Sequence, residues 1–184
     1  RLNSTAPYDS GIYFYNLDKE LLLDRVYLEE IRIDEYCYEI QNASDKYGVS
    51  ANLLKYLLVL EYIYRGQWYI RLIERVICRF SIFYSFAIRK DLSMGLAQIK
   101  ISTAKELLKC NLRSFIPKMC DPAFSIDLCA AYIRKMLDDY AQNEITENVY
   151  DYIASEYLSG LNDRGSEIVR LYSVILEHFD GGKG

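Results

Sequence analysis

Apolar positions recur at helical spacing along most of the chain, and strictly alternating stretches are scarce. Between Leu17 and Lys46, residues Leu21, Leu22, Val26, Leu28, Ile31, Ile33 and Tyr36 lie among Asp, Glu and Arg. That spacing predicts one long amphipathic helix or two short ones, ending at Tyr47-Gly48. Ser50 is placed to cap a second helix, Ala51 to Arg65, with Gly66 where a left-handed terminus would fall. Gly66 to Leu92 reads as a further apolar helix passing into a strand-like run, Phe80, Ile82, Phe83, Tyr84, Phe86 and Ile88. Thr103-Ala-Lys-Glu106 has the form of a capping box for a helix from Thr103 to Leu112. Helices are expected over 126–140, 146–158 and 166–179, the last two separated by a loop from Gly160 to Gly165. The fold class is mainly α, with at most a small β element between residues 80 and 101. Residues 1–16 hold turn formers and aromatics without a period, and read as an extended leader.

Composition narrows the function. The chain has 184 residues, enough for one domain with a real core, and 51% hydrophobic content excludes a disordered chain. Net charge is -4, with 22 basic against 26 acidic residues, so nucleic acid is not an expected partner. A single histidine, His178, removes most His-dependent catalysis and metal ligation. The five cysteines include no CxxC and are odd in number, so neither a zinc site nor a fully paired disulfide framework is indicated, and buried thiols are the expected state. No basic-then-apolar leader opens the chain, which starts at Arg1 and reads as a trimmed product. The longest apolar stretch, Val76 to Ile88, is interrupted by Arg79 and too short to cross a bilayer, so the chain is expected to be soluble.

Carboxylates are then the place to look for chemistry. Glu61 follows Leu54, Leu57 and Leu58 at i−7, i−4 and i−3, and so shares an apolar helix face with them. A carboxyl held away from water tends to stay protonated, as a general acid for glycosidic cleavage must be. The ordinary alternative is an ion pair with Arg65 or Arg71. Glu74 is the rival acid, although Arg71 and Arg75 beside it suggest a paired surface charge.

A second segment, Ser93-Met-Gly95-Leu96-Ala-Gln98-Ile99 followed by Thr103-Ala104, resembles the S-x-G-L-x-Q-I…T-A signature of soluble lytic transglycosylases and goose-type lysozymes. Two later segments are similar to the same family in order. Asp121-Pro122-Ala-Phe-Ser-Ile126-Asp-Leu128 with Tyr132-Ile133 is similar to its D-P-x-x-N-I-x-L…Y-L stretch, and Ala154-Ser-Glu-Tyr157-Leu158-Ser-Gly160 to its A-x-x-Y-N-x-G stretch. Tyr172 and Val174 echo its closing aromatic. The resemblance covers about residues 50 to 178 and divides the chain into an N-terminal leader and helical arm, 1–49, and a lysozyme-like catalytic domain, 50–184.

The resemblance implies that Glu61 is the single acid/base, that Ser93, Gly95, Leu96 and Gln98 line the cleft, and that Tyr157 orients the carboxyl. The serine usual after the family's glutamate is Tyr62 here, Ser125 and Leu158 replace asparagines, and the interval from Glu61 to Ser93 is longer than usual. Trp68 and Tyr69, inside that interval, are candidates to stack on sugar rings, as they are for core packing. The implied activity is cleavage of the β-1,4 bond between N-acetylmuramic acid and N-acetylglucosamine in peptidoglycan, in the periplasm, cell envelope or exterior, with no metal and no organic cofactor. A hydrolase would need a second carboxylate, for which Asp91 is the candidate. The competing readings are a muramidase and a non-catalytic lysozyme-like interaction protein, with residues 17–46 as its docking helix, or a plain helical adaptor.

Overall fold

The computed structural model describes residues 19–65, 68–158 and 165–181, with side chains outside the description at 19–22, 64–65, 68–71 and 165–167. The leader at 1–16, the Gly66 cap, loop residues 160–164 and the side chains of Arg65, Trp68, Tyr69 and Arg71 therefore lie outside the described residues. The described chain is helical, apart from one small antiparallel pair of strands.

The N-terminal amphipathic pattern resolves into two helices, α1 (Lys19–Ile33) and α2 (Cys37–Tyr47), joined by a 3-10 turn at Asp34–Tyr36. Val26, Ile33, Ile40 and Ala43 are buried, whereas Tyr27, Leu28, Ile31 and Tyr38 are exposed. Gly48 ends α2 at φ 62, a left-handed geometry in which a side chain is strained. Ser50 then starts α3 (Ala51–Arg65), its Oγ accepting from the Leu53 amide at 3.3 Å.

Helix α3 is the centre of the molecule. Leu53, Leu54, Leu57, Leu58, Val59, Leu60 and Ile63 are all buried, so it is apolar on every side, the pattern of a helix with no solvent face. It packs against α1, α2, α8 (Pro122–Gln142) and α10 (Gly165–Asp180). Its one described cation, Lys55, is held at the margin by Glu30 at 2.5 Å and Asp34 at 2.7 Å.

After α4 (Trp68–Arg79), the run expected to be strand-like instead forms a 3-10 turn, Ser81–Phe83, and a short helix, α5 (Tyr84–Arg89). The reason lies in its inward face. Tyr84 and Ala87 are buried and Ile88 is half-buried, an i, i+3, i+4 set, while Ile82, Phe83 and Phe86 point outward. The β element follows as β1 (Ser93–Met94) and β2 (Ile99–Lys100), with Ser93 opposite Lys100 and Met94 opposite Ile99.

Helix α6 (Ile101–Leu108) begins before Thr103, so the expected capping box does not form. The cap comes from outside the helix: Asp91 accepts from the Ser102 amide and hydroxyl, both at 2.7 Å. Lys109, at φ 48, stops α6 short of Leu112, where α7 (Leu112–Phe115) starts. Helix α8 begins earlier than its apolar pattern indicated, because Asp121 caps it at the Phe124 amide, 2.8 Å, and Pro122 occupies the first turn. Helices α9 (Val149–Tyr157) and α10 close the body over α3 and α8.

Candidate active site

Burial of α3 dictates the setting of Glu61, which is 8% exposed. The Tyr172 hydroxyl, on α10, donates to Glu61 Oε1 at 3.0 Å, and Tyr172 is itself 1% exposed. Cys129 on α8 and Tyr157 on α9 complete the surroundings, with Cys129 Sγ 3.6 Å from the Tyr157 hydroxyl. Burial pushes the Cys129 thiol up to about 12, and the Glu61 charge adds to the rise. The Tyr157 phenol is likewise raised well above its ordinary value by burial, with Cys129 and Glu61 contributing. Both groups therefore stay protonated across the neutral range and remain donors. Tyr157 donates to the Ala97 carbonyl, which ties α9 to the loop between β1 and β2.

That loop contains the Gly-Leu-Ala-Gln segment, and close backbone packing shapes it. Gly95 has φ +80, and a Cβ there would lie 2.1 Å from the Met119 carbonyl oxygen and 2.7 Å from Ser125 Oγ. Ser125 Oγ accepts from the Ala97 amide at 3.0 Å. A serine at this position is thus an anchor for the loop.

Glu74 occupies the other side of the same loop. It accepts from the Gly95 amide at 3.3 Å and from Gln98 Nε2 at 3.0 Å, while Gln98 Nε2 also donates to the Gly95 carbonyl at 2.8 Å. At 5% exposure Glu74 is not the surface charge expected from its arginine neighbours. The local reason is the amphipathy of α4: Glu74, Ile77 and Cys78 share the inward face, whereas Leu72, Ile73, Arg75, Val76 and Arg79 are exposed.

Two small cavities flank this loop. One, about 110 Å3, is bordered by Tyr36, Tyr62, Glu74, Gly95, Leu96 and Cys120. The other, about 50 Å3, is bordered by Ser93, Gln98, Thr103, Tyr132 and Tyr157. The structure therefore brings Gly95, Leu96 and Tyr62 to one cavity and Ser93 and Tyr157 to the other, with Gln98 bonding toward the first and bordering the second. Tyr62 accepts from Arg32 Nη1 at 3.0 Å, so the phenol standing in for the family's serine ties α3 to α1. Leu158, the C-cap of α9, packs on the core. Asp91 is occupied as the cap of α6. Among the described residues no group of three or more His, Cys, Asp or Glu side chains could hold a metal ion.

Three of these roles escaped the sequence reading. Glu74 as a loop ligand could have been found from the inward spacing of Glu74, Ile77 and Cys78. Tyr172 falls with Ile175 and Leu176 on the buried stripe of α10, and a phenol there needs a polar partner. No local signal marks Cys129, because its neighbours in the site come from three other helices.

A family model described as the transglycosylase SLT domain matches residues 39–168. No curated protein and no solved structure matches the chain.

Proposed function

Because the chain belongs to the transglycosylase SLT domain family, whose members act on peptidoglycan, we propose that it cleaves the β-1,4 bond between N-acetylmuramic acid and N-acetylglucosamine with Glu61 as its single acid/base. The observation that supports this reading is a carboxyl buried in the central helix and bonded to the Tyr172 phenol. In this mechanism Glu61 gives its proton to the leaving glycosidic oxygen. The carboxylate so formed takes the proton of the muramyl 6-hydroxyl as that oxygen bonds to the anomeric carbon, and a 1,6-anhydro end results. Tyr157 holds the Ala97 carbonyl and so positions the loop that presents Gly95, Leu96 and Gln98 to the glycan. Acting on that substrate would require the protein to reach the periplasm, the cell envelope or the exterior; no described helix is long and apolar enough to cross a membrane.

A second reading makes Glu74 the acid. Glu74, bonded to Gly95 and Gln98, borders the larger cavity beside Tyr62 and Leu96. Product analysis separates the readings. The parent protein, Glu61→Gln and Glu74→Gln are each incubated with purified peptidoglycan, and the soluble products are weighed by mass spectrometry. Anhydro-muropeptides from the parent and from Glu74→Gln, with none from Glu61→Gln, are expected. Loss in Glu74→Gln alone transfers the acid role to Glu74. Reducing ends make the protein a muramidase, and no products from a folded parent make it a binding protein.

A further inference from the structure

Outside the carboxylate site, α4 carries a second reactive group. Cys78, one turn beyond Glu74, faces Cys120, the residue just before the Asp121 cap of α8. Their sulfurs lie 2.7 Å apart, although the residues are 42 positions apart in the chain. That separation is well inside the roughly 3.5–4.0 Å at which non-bonded heavy atoms rest, so the two side chains are already aimed at each other. Their mutual hydrogen bond lowers the Cys78 thiol from its ordinary value, against the opposing effect of burial. The Ile116 carbonyl, 3.2 Å from Cys78 Sγ, offers the same thiol an alternative acceptor and keeps its sulfur in place.

We propose that Cys78 and Cys120 are joined by a disulfide whenever the protein meets a disulfide oxidant. The two sulfurs differ in access. Cys78 is buried, whereas Cys120 is half-buried and borders the 110 Å3 cavity, where a solvent-borne reagent can reach it. The Cys120 thiolate attacks an external disulfide, R–S–S–R, and expels one R–SH after protonation. The Cys78 thiolate then attacks the Cys120 sulfur of the mixed disulfide and expels the second R–SH. Two cysteine thiols are oxidised, one external disulfide is reduced to two thiols, and the two cysteine protons end on those thiols. Among the remaining cysteines, Cys37 and Cys110 are exposed and Cys129 is enclosed beside Tyr157. One bridge and three thiols account for the odd number.

The bridge would brace the walls of the cavity. On one side it holds α4 and thus Glu74; on the other it holds the segment whose Met119 carbonyl packs on Gly95 and whose Asp121 starts α8. Cross-linking residues this distant in sequence removes much of the freedom of the unfolded chain.

The test uses the whole chain, reduced and then equilibrated with oxidised glutathione, followed by alkylation of remaining thiols in denaturant and peptide mapping. A Cys78–Cys120 cross-linked peptide, with Cys37, Cys110 and Cys129 alkylated, is expected. The oxidised protein should melt on the order of 5–10 °C above the reduced one, and Cys120→Ser should abolish that difference. Five alkylated thiols, a glutathione adduct left on Cys120, or a bridge between other cysteines would each overturn the proposal. The readout needs no peptidoglycan, so it stands or fails separately from the proposed activity.

Discussion

Tyr172 donates its hydroxyl to Glu61 across 111 positions of sequence, joining α10 to the buried centre of α3. Replacing it with phenylalanine keeps the ring in the core but removes this donor from a buried carboxyl oxygen. Such a loss costs about 1–3 kcal/mol. Tyr172→Phe should therefore lower the denaturant midpoint while leaving the m-value unchanged. If Glu61 is the acid, the turnover of peptidoglycan should fall as well, by more than KM changes.

Gly95 is the tightest point of the loop. Gly95→Ala would place a methyl 2.1 Å from a backbone oxygen at a φ of +80. Neither the carbonyl of Met119 nor the strained dihedral can yield cheaply, so a loss of about 2–4 kcal/mol is expected. Thermal denaturation of the variant checks this; an unchanged melting temperature would mean that the loop does not pack as described.

Ser125 tests the same anchor from the other side. Ser125→Ala leaves the Ala97 amide without this acceptor in a buried setting, at a cost of about 1–3 kcal/mol. Hydrogen exchange should localise the effect, with the Ala97 amide losing protection while amides of α3 keep theirs. Uniform loss of protection would assign Ser125 a global packing role instead.

Alkaline pH should destabilise the protein ahead of general denaturation. The Cys129 thiol is raised from 9.0 to about 12 in the fold and the Tyr132 phenol from 10.0 to about 12, both chiefly by burial. Between the ordinary and raised values the unfolded chain has released these protons while the folded chain retains them. Stability is thus fully present below pH 9 and is lost as pH rises toward 12. Melting temperatures taken from about pH 8 to about pH 11 should fall progressively, and Cys129→Ala should make the fall shallower.

The helical class was legible because α3, α4 and α10 carry strong one-sided or all-round apolar patterns, and the Gly-Leu-Ala-Gln segment was legible as a motif. The β element was placed in the right interval, yet the aromatic run before it was misread. Short apolar runs fit either period, and only packing of Tyr84 and Ala87 against the body decides for helix. The cap of α6 was misassigned to Thr103 because a capping box is a local pattern, while Asp91 acts from the preceding turn. The tie between Glu74 and Gln98 is hidden for the same reason: adjacent arginines point to a local ion pair, whereas the bonds to Gly95 and Gln98 arrive through the fold.

The enclosure of α3 has a consequence for how the protein is made. The helix bearing Glu61 is covered by α1 from the start of the described chain and by α10 from its end, and Ser50 at its head bonds to Asp180. Contacts this distant in sequence cost loop-closure entropy before they stabilise anything, and they slow folding. Until α10 has docked, the Tyr172 hydroxyl does not reach Glu61, and the carboxyl lacks that donor.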